Sequence, residues 1–127
     1  QEKFRALTKL YYRNSTACIL IFDLSFINPI ILFFKYLINR PRPYQINNKI
    51  IPLMSTTDKT PSYPAGHALQ AFYLSHLLSK KYPEKGHFFN YLAHRCDDCR
   101  IKAGIHYKSD GVFSKAIVNT LIYFNII

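Results

Sequence analysis

FFNYLAHRCDDCRIKA, residues 88–103, is the stretch that decides the fold. Phe89, Leu92, Ala93, Cys96, Arg100 and Ala103 recur every three or four residues, which puts them on one face of a helix. The spacing predicts a helix over 88–103, weakened beyond its end by Gly104. Arg100 continues an otherwise apolar stripe, an expensive place for an unpaired charge, so an anion is expected to meet it.

The same periodicity extends outward in both directions. Downstream, Phe113, Ala116, Ile117, Thr120, Leu121 and Phe124 outline a last amphipathic helix, with Ser109 or Asp110 suited to cap it. Upstream, a helix is expected from about residues 65–68 to 82, with Leu69, Phe72, Tyr73, Leu77 and Lys80 as its stripe. Asn28-Pro29 reads as N-cap and first residue of another helix, which carries Lys35 and reaches about Asn39. Arg40-Pro41-Arg42-Pro43 must end it, because a residue before proline is pushed away from α geometry. Phe4, Leu7, Leu10 and Tyr11 suggest a short first helix, followed by an apolar stretch over about 16–27. Residues 44–60, rich in Asn, Thr, Ser and Lys, read as a long loop without regular structure, a candidate substrate-contacting flap. With only four Gly and little β-branched alternation, the expected class is all-α. The expected architecture is a compact single-domain helical bundle of about five to six helices. The domain is taken as 1–127, with a motif-bearing core over 29–126.

A chain of 127 residues can bury one core but not two. Ten Tyr and ten Phe could supply most of that buried area. The formal charge of +10 suits anionic partners, either phosphate esters or acidic membrane surfaces. Nucleic acid is not an expected partner: the basic residues are scattered and no nucleic-acid motif appears. Cys18, Cys96 and Cys99 are an odd set, which argues against a disulfide framework. Cys96 and Cys99 have zinc-like spacing without a second ligand pair, so no metal is expected. Asn14-Ser15-Thr16 matches a glycosylation acceptor, a pattern common by chance. The apolar run over 17–34 is broken by Asp23, Asn28 and Pro29, and is better read as a buried, interrupted helical pair than as a membrane span. Contact with a membrane surface and homo-oligomer formation stay open. So does a soluble, secreted, periplasmic or membrane-peripheral location.

Three segments carry the chemistry. Lys35 lies seven residues before Arg42-Pro43, and a polar loop leads to Pro61-Ser62-Tyr63-Pro64-Ala65-Gly66-His67. Arg100, His106 and Asp110 follow, spaced six and four apart. A phosphoryl group in transfer spreads negative charge over its equatorial oxygens, so catalysis is mostly positioning and fixed positive charge. Three cations, two histidines and one carboxylate are suited to moving such a group through a histidine without a metal. No carboxylate cluster is apparent that would hold Mg²⁺.

The three segments, in order, resemble the signature of the superfamily that joins type 2 phosphatidic acid phosphatases, bacterial class A acid phosphatases and vanadium-dependent haloperoxidases. The short format is closest to the class A enzymes. The resemblance implies that Lys35, Arg42 and Arg100 clamp the phosphate and that His106 is the nucleophile. Asp110 would accept the hydrogen bond from its other, protonated ring nitrogen. It implies that His67 is the general acid, beside the backbone N–H of Gly66 at a helix start. No cofactor is implied, although vanadate would occupy the phosphate site. Two positions depart from the pattern: Ala65 stands where many members have a phosphate-touching Ser, and Cys99 where Ser is frequent. Ser62 is the candidate to compensate for Ala65. The expected activity is metal-independent hydrolysis of phosphate monoesters, lipid phosphates among them, with an acidic to neutral optimum. The alternatives are a vanadate-dependent haloperoxidase and a catalytically impaired protein that binds phosphate or lipid headgroups.

Overall fold

A computed structural model describes residues 24–53 and 59–127. The expected first helix near 4–11, Asn14, Cys18, the apolar stretch before Leu24 and loop residues 54–58 lie outside the described residues. The chain forms α1 (Leu24–Ile38), a single turn α2 (Pro43–Ile46), α3 (Gly66–Lys81), a 3₁₀ turn at Pro83–Lys85, α4 (Gly86–Lys102) and α5 (Lys108–Tyr123). No strand occurs among the described residues. The fold is all-α.

Helix α3 is the central element, packed against α1, α4 and α5. Ala68, Leu69, Phe72, Tyr73 and Ser75 are its buried residues, and Lys80 is exposed at the outer end of the expected stripe. Ile27 and Ile31 of α1, Ala93 of α4, and Ile117 and Val118 of α5 complete the core around it. Full burial of each large side chain is worth about 1.5–3 kcal/mol, so the core's stability is centred on α3.

Two expectations about helix ends are corrected. Helix α1 runs through Pro29 rather than starting there. The Asn28 side chain accepts a hydrogen bond from Gln70 Nε2 on α3 (2.8 Å) instead of capping a helix. Pro29 lies on the exposed face, where its ring meets solvent rather than a neighbouring helix. Inward, Ile27, Ile31 and Lys35 are buried at four-residue spacing. At the other end Asn39, with φ 47°, turns the chain out of the helix and its N–H closes on Lys35 O (2.8 Å). The second correction concerns α5. Its N-cap is Tyr107, and Asp110 sits one turn in, accepting the Tyr107 N–H at 2.9 Å.

The buried face of α4 also differs from the expected stripe. Ala93 and Asp97 are buried, whereas Leu92 is exposed and Cys96 and Arg100 are partly so. Small residues decide this face. A Cβ on Gly111 of α5 would come within 2.0 Å of Asp97 Oδ2, so glycine leaves the space that the Asp97 carboxylate occupies against α5. Gly104, with φ 73°, ends α4 in the left-handed region. Leu53 N–H then bonds to Ala103 O (2.9 Å), laying the visible start of the expected loop across the end of α4. That loop is not wholly irregular, because α2 forms one turn held by Gln45 Oε1 accepting the Arg42 N–H (2.7 Å).

Candidate active site

The site forms where the end of α1, the start of α3, the end of α4 and the start of α5 converge. Lys35 is the last inward residue of α1, and its ammonium donates to Pro61 O. Burial, then the nearby Arg42 guanidinium, lower its pKa to about 8, while Asp110 acts in the other direction. Arg42 is 2% exposed. Its Nε donates to Thr60 O (2.9 Å) and its NH1 to Ile105 O (2.9 Å), so the fork is held by carbonyls of two loops. The same NH1 lies 3.4 Å from His106 Nε2.

His106 has its protons assigned by its partners. Nδ1 lies 3.1 Å from Asp110 Oδ2, and a carboxylate can only accept, so Nδ1 carries the hydrogen. Nε2 faces a guanidinium, which can only donate, so its lone pair is directed at Arg42. In this tautomer the ring is neutral and its unprotonated Nε2 faces the cations. Burial lowers the His106 pKa, and Arg42 and Lys35 lower it further against the raising effects of the Asp110 hydrogen bond and charge. Asp110 is fully buried. Its Oδ2 accepts from both His106 and the Tyr107 N–H, while Oδ1 accepts from Arg40 NH1 at 2.8 Å.

On the opposite side, His67 is the second residue of α3 and only half-buried. Burial lowers its pKa, followed by the charges of Arg100, His106, Lys35 and Arg42. That set of influences ties His67 and Arg100 to the same site as the buried cluster. Gly66 opens the helix, and its N–H and that of His67 have no partner within the helix itself. A Cβ on Gly66 would lie 3.3 Å from Ile31 Cγ2 and 3.9 Å from Lys35 Cε, so glycine keeps α1 and Lys35 close to the helix start. Ala65, fully buried, donates its N–H to Asp110 O (3.4 Å) and accepts from Ser114 Oγ (3.0 Å), locking α3 to α5. Ser62 is fully buried: its N–H bonds to Arg40 O (2.9 Å) and its hydroxyl to Pro41 O (3.2 Å), so this hydroxyl is directed into the loop backbone. No group of three or more His, Cys, Asp or Glu side chains suited to a metal occurs among the described residues.

The family description for the PAP2 superfamily matches residues 16–126. The chain belongs to the PAP2 superfamily. A solved relative supports the same fold: the crystal structure of the first transmembrane PAP2 type phosphatidylglycerolphosphate phosphatase from Bacillus subtilis, 18% identical with a TM-score of 0.58. The likeness covers 94% of this chain and 61% of that one, so the sequence spans about three-fifths of this PAP2 relative. No curated protein matches the sequence. Among the described residues of this PAP2 chain, no helix is long and apolar enough to cross a membrane.

Two residues of the site region were not singled out by sequence reasoning. Arg40, two residues before Arg42, reaches Asp110 and Ser109; only its place in the Arg-Pro-Arg-Pro run hinted at a fixed position. Asp97, buried beside Gly111, falls within an otherwise unremarkable Cys-Asp-Asp-Cys run. Burial, then Asp98, raise its pKa, with Asp110 adding to this and His94 opposing it.

Proposed function

We propose that this PAP2 chain is a phosphatase that hydrolyses phosphate monoesters through a phosphohistidine intermediate, without a metal ion. The observation that carries the reading is His106, with Nδ1 bound to Asp110 and Nε2 facing the buried Arg42 guanidinium. In the first step Nε2 attacks phosphorus and the ester P–O bond breaks, its electron pair leaving on the alkoxide oxygen. His67, protonated, gives its proton to that oxygen. Water then attacks the phosphohistidine, His67 takes the water's proton, and inorganic phosphate leaves with His106 regenerated. Lys35, Arg42 and Arg100 balance the charge on the equatorial oxygens, joined by the N–H groups at the start of α3. Ser62 acts in this scheme by fixing the 40–42 loop from behind.

The depressed pKa values of both histidines favour an optimum on the acidic side of neutrality. Lipid phosphates belong among the substrates to be tried, since the solved relative is a phosphatidylglycerolphosphate phosphatase. The catalytic unit is one helical domain over 1–127, with its motif-bearing core over 29–126. A panel of soluble and lipid phosphate monoesters, assayed with and without EDTA and vanadate, tests the reading. Turnover resistant to EDTA and strongly inhibited by vanadate is expected. Phosphate binding without turnover of any ester would overturn it, as would bromide oxidation with vanadate and peroxide in place of hydrolysis.

A further inference from the structure

Arg40 is the side chain outside the expected site that makes the most specific contacts with it. It follows Asn39, whose positive φ turns the chain out of α1 and directs residue 40 toward the start of α5. NH1 bonds to Asp110 Oδ1 at 2.8 Å and to Ser109 Oγ at 2.7 Å. The guanidinium carbon lies 4.0 Å from the centroid of the Tyr107 ring and 5.7 Å from that of Tyr63. Tyr63 in turn stacks on Phe113 at 4.5 Å. Planar guanidinium groups bind carboxylates and stack on aromatic faces, and this one does both.

The backbone around it is equally committed. Arg40 O accepts the Ser62 N–H, and Asp110 O accepts the Ala65 N–H, so the strap from α1 and the start of α5 both hold the segment leading to His67. Asp110 itself is fully buried, and its two oxygens have different duties. Oδ2 faces the imidazole, while Oδ1 faces Arg40. Without the Oδ1 partner only the Tyr107 N–H would restrain rotation of the carboxylate about its Cβ–Cγ bond, and the acceptor facing Nδ1 of His106 would be held less firmly. A histidine whose Nδ1 has no fixed acceptor can carry its hydrogen on either nitrogen, and only one of those forms leaves Nε2 able to attack.

We propose that Arg40 is a positioning residue for the reaction: it fixes the Asp110 carboxylate, and through it the tautomer and direction of the His106 ring. This rests on the phosphohistidine reading. The Arg40 guanidinium is taken up by Asp110, Ser109 and the Tyr107 ring, so its loss is expected to act on the chemical step and to leave substrate affinity almost unchanged. Lysine restores the charge but not the planar fork or the stacking, and therefore rescues only in part.

The experiment pairs steady-state kinetics on an aryl phosphate with ¹⁵N NMR of the His106 ring, in wild type, Arg40→Gln, Arg40→Lys and Tyr107→Leu. Arg40→Gln is expected to lower kcat by roughly 10–100-fold, the size of loss typical of a misplaced reacting group, with KM changed less than about threefold. The ring should pass from a single Nδ1–H tautomer to a mixture, with Arg40→Lys in between. Tyr107→Leu, which removes the stacking surface and leaves the guanidinium in place, should give a smaller change of the same kind. An unchanged kcat and an unchanged His106 spectrum in Arg40→Gln would overturn the assignment, as would full rescue by lysine. If wild type itself turned over no ester, the phosphatase reading would fail alone. The ring spectra of wild type and Arg40→Gln would still decide for or against Arg40.

Discussion

The two histidines of the site sit in contrasting surroundings. His106 is enclosed: its carboxylate partner is fully buried and receives donors from Arg40, Tyr107 and the ring itself. His67 is half-exposed at the open end of α3, within the electrostatic influence of Arg100 and the buried cluster. The difference follows the work proposed for each. A nucleophile gains from one tautomer and one direction, which dense hydrogen bonding supplies. A general acid must meet leaving groups of varied shape and exchange protons with water, which partial exposure allows.

That contrast is open to attack from either side. His106→Ala should remove turnover by on the order of 10⁴-fold or more, read as release of inorganic phosphate, with the fold intact by circular dichroism. Asp110→Asn keeps the shape of the enclosed side but can donate to Nδ1 and favour the wrong tautomer. A loss of roughly 10³–10⁴-fold in kcat is expected, by analogy with carboxylate-to-amide changes in other histidine-based sites. His67→Gln should cost roughly 10²–10⁴-fold on alkyl phosphates. The loss should be much smaller on aryl phosphates, whose leaving groups need little protonation. Equal losses on both would remove His67 from the acid's role.

A smaller effect should appear in the pH profile of kcat/KM. Burial and then Arg100 push the His67 pKa below 6.5, so the basic limb falls below that value as the acid loses its proton. Arg100→Gln removes one lowering charge, so the limb should move to higher pH even as phosphate binding weakens. The smallest effect concerns stability. Asp97 has a folded-state pKa above its ordinary 3.8, from burial and Asp98, so the folded state holds that proton more tightly than the unfolded chain. The stability this gives is present at low pH and lost as pH rises through the raised value. Asp97→Asn should therefore raise Tm at neutral pH, with the gain vanishing in acid.

Much of the bundle was legible because α3, α4 and α5 keep regular apolar spacing and their breaks fall at Pro64, Gly104 and the turn after Lys81. The motif residues were legible because their types and offsets are unusual together. What escaped depends on contacts between segments distant in sequence. Pro29 reads locally as a helix start, yet packing of Ile27 and Ile31 on α3 and the Asn28–Gln70 bond carry the helix through it. The inward face of α4 turns on Gly111, fourteen residues beyond Asp97, which no periodicity within α4 can reveal. Arg40 has the composition of an ordinary surface cation, and only the turn at Asn39 gives it a target.

Arg42 acts as a rivet as well as a tool. Because its fork clasps main-chain oxygens at Thr60 and Ile105, truncating it would loosen two connecting segments as well as remove the proposed phosphate contact. A silent but intact version of this protein, wanted for trapping substrates or raising crystals, is better obtained by altering an imidazole than by altering this guanidinium.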